Sequence, residues 1–232
     1  MVDLTASTQS DLAELVNSSV ARSGEVIAAE YQSNGRGRLD RTFEAPPQSA
    51  LLFSFYIAPK RDRSEWSFIS FLAAIAMHEV ITESFEESFE EDLSLKWPND
   101  ILIGDKKVAG ILAQQIREGV IVGIGLNVAM SADELPVPTA TSLEVAGSNN
   151  LDRNSLLSAF LNRFEKVFHG WDSGSDFLER YRQLSSTLDR QVRVDVVGRD
   201  SIEAKALSIT AQGALILSDG TEVNVGDVIH LR

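Results

Sequence analysis

Two short runs carry the groups that could do chemistry. Gly35-Arg36-Gly37-Arg38 lies in a polar stretch, and Lys96-Trp97-Pro98-Asn99-Asp100 ends an apolar, strand-like segment. Glycines let backbone N–H groups approach a ligand, and guanidinium forks fit phosphate or carboxylate oxygens. Arg41 adds a third guanidinium. A lysine just before a Trp-Pro stop is a fixed cation. The pattern reads as an anion site; the alternative is a flexible basic surface loop. It is no Walker loop, because no Gly-Lys-Ser/Thr follows.

The rest of the chain narrows the anion. It has 232 residues, a hydrophobic fraction of 44% and a net charge of -13. That supports a packed core and argues against general nucleic-acid binding or docking on an anionic membrane. There is no cysteine, and His78, His169 and His230 show no metal-ligand spacing, so no protein-held metal is expected. No apolar run reaches membrane-spanning length and no signal peptide is visible, so a cytoplasmic protein is expected.

The elements that must position these groups follow from periodicity. The spacing predicts helices over 7–21, 64–84, 152–169 and 175–186, the first opened by a Thr8/Asp11 capping box. It predicts strands over 25–31, 51–58, 93–97, 101–103, 107–116 and 120–130, with a hairpin turn at Gly104-Asp105. From about Thr187, short strands over 192–196, 204–209, 214–217 and 222–231 alternate with glycine turns. Helices and strands do not alternate strictly. The expected fold is α+β, with a mixed or antiparallel central sheet, residues 1–186, and a small barrel, residues 187–232.

Alternation then sorts the faces. Leu93, Leu95 and Trp97 share one side and Ser94 and Lys96 the other, so Lys96 projects from a rigid strand end. Gly123, Gly125 and Asn127 share a face cleared of side chains, where a flat group can approach. Lys107, Ala109, Ile111 and Ala113 read as a second cleared face. Ser7, Thr8, Gln9 and Gln32 could clamp a polar ligand, or merely cap a helix. Phe43 could cover a base or enter the core.

In order along the chain stand Ser7-Thr8-Gln9, Glu30-Tyr31-Gln32, Gly35-Arg36-Gly37-Arg38, Lys96-Trp97-Pro98-Asn99-Asp100, Lys107-Val108-Ala109-Gly110-Ile111-Leu112 and Gly123-Ile124-Gly125-Leu126-Asn127. This set resembles the biotin protein ligase family over nearly the whole chain. The end, with Gly213-Ala214-Leu215 and Gly226-Asp227-Val228, resembles that family's SH3-like domain. The resemblance implies a class II synthetase-like catalytic domain that makes biotinyl-5′-AMP from biotin and MgATP. It then passes biotin to a lysine of a biotin carboxyl carrier domain. It implies Lys96 and Arg38 as catalytic groups. Ser7, Thr8, Gln9, Gln32, Arg36, Gly37, Arg38, Lys96, Gly110 and Gly125 would bind biotin. Arg36, Arg38, Arg41, Phe43, Lys107 and Asn127 would bind the nucleotide.

There are departures from the family's pattern. Leu39-Asp40-Arg41 and Phe43 stand where a glycine and a tryptophan are common, and Asp40 sets a negative charge beside the loop. Gln9 replaces a common asparagine, and a turn glycine is absent near Glu203. No helix-turn-helix fits before Ser7. A homodimer through sheet edges is compatible with the pattern. The competing functions are a lipoate–protein ligase or octanoyl transferase, and a non-catalytic biotin-binding scaffold.

Overall fold

Ala50–Ile57, Ala-Leu-Leu-Phe-Ser-Phe-Tyr-Ile, is buried at every position. A strand without polar alternation must be covered on both sides. In the computed structural model it is strand β3 of a seven-stranded sheet ordered β1-β2-β3-β7-β6-β5-β4. The structure describes residues 1–38, 41–86, 88–89, 91–196, 198 and 200–231. Asp40, expected to place a charge beside the loop, lies outside them.

The strands are β1 (Val2–Thr5), β2 (Val26–Gln32), β3, β4 (Leu93–Lys96), β5 (Asp100–Ile103), β6 (Lys106–Ile116) and β7 (Gly119–Asn127). All pairings are antiparallel except β1 with β2, so the sheet is mixed, as expected. β1 was not foreseen, since four largely exposed residues carry too little pattern. Helix α1 (Thr8–Asn17) makes the crossover between these parallel strands.

α1 is shorter than expected. The capping box does not form, because the Asp11 carboxylate accepts instead from Thr5 Oγ1 at 2.6 Å. Ser7 is the N-cap residue, and its hydroxyl makes no cap bond. Leu12 and Val16 seal one sheet face against Tyr56 and Ile121.

The opposite face carries the main core. It packs under α2 (Ile69–Thr82), α3 (Arg153–Asp172) and α4 (Leu178–Leu184). The rings of Phe160 and Phe164 lie 5.2 Å from Phe53 and 4.6 Å from Phe55.

The second sheet has five strands in the order β11-β10-β9-β8-β12. They are β8 (Gln191–Asp195), β9 (Ile202–Ile209), β10 (Leu215–Leu217), β11 (Glu222–Val223) and β12 (Asp227–His230). The expected last strand is split in two on either side of Gly226. Trp97, 1% exposed, joins the sheets by donating from Nε1 to Gly213 O at 2.9 Å.

His230 lies at the same seam, 3.2 Å from Thr187 Oγ1. Burial, then the charges of Lys96 and Arg190, push its imidazole from 6.5 down to about 4. The unfolded chain therefore binds a proton that the folded chain refuses between those values. Stability is fully present above the unfolded pKa and falls as pH drops through the window. The ring is partly exposed, so solvent screening trims the effect. The expected result is a urea midpoint that falls less from pH 6.5 to 4 in His230→Gln than in the unmodified chain. Equal falls would remove His230 as the cause.

Candidate active site

A cavity of about 120 Å³ opens on the α1 side of the large sheet. Its walls come from the N-terminus of α1, the end of β2, the 36–43 loop, the middle of β3, β6 and β7, and Asp227 of the second sheet.

One wall is polar and preorganised. The Gln32 side-chain carbonyl accepts from Thr8 N at 2.7 Å and from Thr8 Oγ1 at 2.9 Å. Thr8 Oγ1 lies 2.8 Å from Ser54 Oγ, which donates to Gln9 Oε1 at 3.4 Å. Ser7 Oγ and Gln9 Nε2 are buried without a hydrogen-bond partner among the described residues. Such orphaned groups are costly unless a polar ligand satisfies them. Ser54 was missed by sequence reasoning. Its signal was one hydroxyl amid the apolar run 51–57.

The floor is made of glycines. Gly110 pairs with Gly125 across β6 and β7, and Gly123 faces Ser54 across β7 and β3. A Cβ at Gly123 would collide with Gln9 Oε1. The flat group over Gly125 is the chain's own Phe43 ring, 2.6 Å from where a Cβ would stand. Phe43 therefore lines the cavity while its ring rests on the sheet.

The cationic wall differs from the expected one. Arg36, Gly37, Arg38, Arg41 and Lys107 line the cavity, but Lys96 is not among the described residues that do. Plain alternation set Lys107 beside Ala109 and Ile111, yet both of those are buried in the core. The cause is a bulge. Leu102 pairs with Lys107 and Ile101 with Ala109, leaving Val108 as the extra residue. A bulge re-aims side chains, and this one brings Lys107 onto the face of Gly110. Lys107 Nζ lies 2.6 Å from Asp100 Oδ1, and its chain crosses Gly110.

Lys96, in the edge strand, pairs with Asp100, which pairs with Gly110 and through it with Gly125, so all four share one face of the sheet. Burial lowers its ammonium's pKa, Asp100 opposes this, and Lys107 and Arg41 add to the lowering. It therefore stands on the cavity's face of the sheet, in one charge cluster with the lining groups Asp100, Lys107 and Arg41.

Asn127 also departs from expectation. It is buried and donates from Nδ2 to Thr141 O at 2.8 Å. Thr141 N in turn bonds Lys107 O at 2.8 Å. Asn127 thus fastens the segment that pairs with the Lys107 backbone, and it is not among the described lining residues.

The loop closes on itself through Gly37 N to Arg41 O at 2.7 Å and Phe43 N to Gly35 O at 3.0 Å. Arg38 Nη1 donates to Asn99 Oδ1 and to Gly226 O, both at 3.3 Å. Burial, before any nearby charge, lowers its pKa, although a guanidinium stays charged throughout. Asn99, Asp100 and Asp227 were not assigned from the sequence, because their contacts span distant segments.

Gly110 offers a direct test of the Lys107 geometry. A Cβ there would stand 3.0 Å from Lys107 Nζ and 3.1 Å from Cε. Gly110→Ala should displace the ammonium and lower turnover by up to about 10²-fold, with an unchanged urea midpoint. Undiminished turnover would show that the ammonium need not lie there.

Among the described residues, no group of three or more His, Cys, Asp or Glu is placed to hold a metal. No helix among them is long and apolar enough to cross a membrane.

The chain as a whole is similar to known proteins. A biotin--[acetyl-CoA-carboxylase] ligase of Mycobacterium tuberculosis is 34% identical over all of this chain and 88% of its own length. The bifunctional ligase/repressor BirA of Bacillus subtilis is 31% identical over 93% of this chain and 67% of its own. Among solved structures, a biotin protein ligase from Aquifex aeolicus, in complex with biotin and ATP, superposes with a TM-score of 0.81 and 27% identity. That match covers 100% of this chain and 97% of that one. The model of the biotin/lipoate A/B protein ligase family matches residues 1–131, more than half the length. With a curated relative alike from end to end, the chain belongs to that family.

Proposed function

We propose that the chain is an ATP-dependent biotin protein ligase that forms biotinyl-5′-AMP and transfers biotin to a lysine of a biotin carboxyl carrier domain. One observation carries the reading. Three cations, Arg36, Arg38 and Lys107, meet two orphaned polar groups, Ser7 Oγ and Gln9 Nε2, around one cavity. The cations suit a carboxylate and a phosphate; the polar end suits a ureido ring. The biotin ligases among its relatives support biotin over lipoate.

In the first step a biotin carboxylate oxygen attacks the α-phosphorus, and the bond to pyrophosphate breaks. Lys107 holds the carboxylate against its repulsion from phosphate, while Arg36 and Arg38 neutralise the α-phosphate. Asp100 pairs with the lysine and aims it. In the second step the acceptor lysine's amine attacks the acyl carbon, AMP leaves with the C–O bond pair, and the amine proton is lost to solvent. The same cations stabilise the departing phosphate. Magnesium would enter with the nucleotide as part of the substrate, since no carboxylate cluster among the described residues is gathered to hold it. We place residues 1–186 as the catalytic part and residues 187–232 as the small SH3-like part, acting in the cytoplasm without nucleic acid.

Pyrophosphate release from ATP should require biotin and proceed with neither lipoate nor octanoate. Release driven by lipoate would move the protein to the other branch of its family. A folded protein that releases none with any of the three would make it a scaffold.

A further inference from the structure

We infer that Asp227, carried by the second sheet, is a positioning residue that holds Arg41, and with it Arg38, at the cavity. This rests on the proposed function. Asp227 opens β12, lines the cavity and forms an ion pair with Arg41 Nη2. The preceding carbonyl, Gly226 O, accepts from Arg38 Nη1 at 3.3 Å. Two of the loop's guanidiniums are therefore tied to adjacent groups of the smaller sheet.

The anchor is rigid. A Cβ at Gly226 would stand 3.0 Å from Val194 Cγ1 and 3.2 Å from Asp195 O, so its carbonyl is packed in place. The smaller sheet is bonded to the larger through Trp97 Nε1 to Gly213 O at 2.9 Å and Ser67 Oγ to Gln212 O at 2.5 Å. Arg41 is the more exposed partner. The Arg41 side chain is 67% exposed, whereas that of Asp227 is 19% exposed. A long exposed side chain gives up rotamer freedom to stay in one place, and a fixed carboxylate offsets that loss.

A carboxylate beside a phosphate site could instead be a placeholder that the nucleotide displaces. Geometry favours positioning. A guanidinium carries five N–H donors. Among the described residues Arg38 spends only Nη1 on protein acceptors, and the ion pair engages Nη2 of Arg41, so donors remain for an anion.

The test compares Asp227→Asn, Asp227→Arg and the swap Arg41→Asp/Asp227→Arg in the full chain. Amide exchange across residues 35–43 is read without ligand. Dissociation of biotinyl-adenylate and KM for ATP are read with substrates. Asp227→Asn should speed exchange and dissociation by about fivefold and raise KM for ATP, without changing the thermal midpoint. Asp227→Arg should do so by about tenfold or more, since like charges then face each other. The swap should return exchange to within about twofold of the unmodified chain, a rescue that a merely structural role would not give. Unchanged exchange in Asp227→Asn, a lowered KM for ATP, or a swap as fast as the single reversal would each overturn the proposal. An unmodified chain that forms no adenylate would refute the ligase reading instead, and the exchange arm would still judge the ion pair.

Discussion

Lys107→Ala should lower the rate of biotinyl-adenylate formation by about 10²–10³-fold, the usual cost of losing one fixed group aimed at developing charge. Lys96→Ala should cost less, because its ammonium reaches the charge cluster from the edge strand. The contrast follows from β6. Its bulge turns Lys107 into the cavity, whereas Lys96 stands on the same face two strands further out, beyond Asp100. Lys107→Ala removes no apolar core side chain, since Lys107 crosses the bare backbone of Gly110 and pairs with Asp100. Urea unfolding should therefore hold its midpoint while single-turnover adenylation collapses. Equal losses in the two variants would show that both ammonium groups act on the reacting carboxylate.

Arg38→Gly should release the intermediate. Arg38 reaches from the loop to Asn99 of the large sheet and to Gly226 of the small one, a span that no other described residue of the loop makes. Truncating one partner of a partly buried, hydrogen-bonded charge acts chiefly on dissociation, and adenylate loss to solvent should rise on the order of 10²-fold. Pyrophosphate release would continue while transfer to the acceptor falls, because the mixed anhydride escapes before the amine arrives. Rapid-quench sampling of free and bound adenylate measures this. An unchanged dissociation rate would mean that the loop does not shelter the intermediate.

Much of the site could be read from local pattern. The cleared face of β7 needed only period-two counting and two glycines. The polar clamp needed only Ser7, Thr8, Gln9 and Gln32 near element ends. Three things escaped, each non-local. The Val108 bulge breaks the alternation that set Lys107 beside Ala109, Ile111 and Ala113, and a bulge is set by the neighbouring strand. Asn127 carries the right chemistry on the right strand, yet its amide is spent on Thr141, placed by a loop fourteen residues later. Asp227 enters from a separate sheet, 188 residues after Arg38 in the case of its neighbour Gly226. In the fold, β1 escaped because a four-residue parallel edge strand is identified by its partner rather than by its own residues.

The most direct check is the position of the reacting group itself. A crystal structure with biotinyl-5′-AMP bound should show the acyl-phosphate oxygens within hydrogen-bonding distance of Lys107 Nζ and the Arg38 guanidinium, with the ureido ring against Ser7 and Gln9. An intermediate bound elsewhere, or one whose phosphate meets Lys96 while Lys107 stays paired to Asp100 alone, would contradict it.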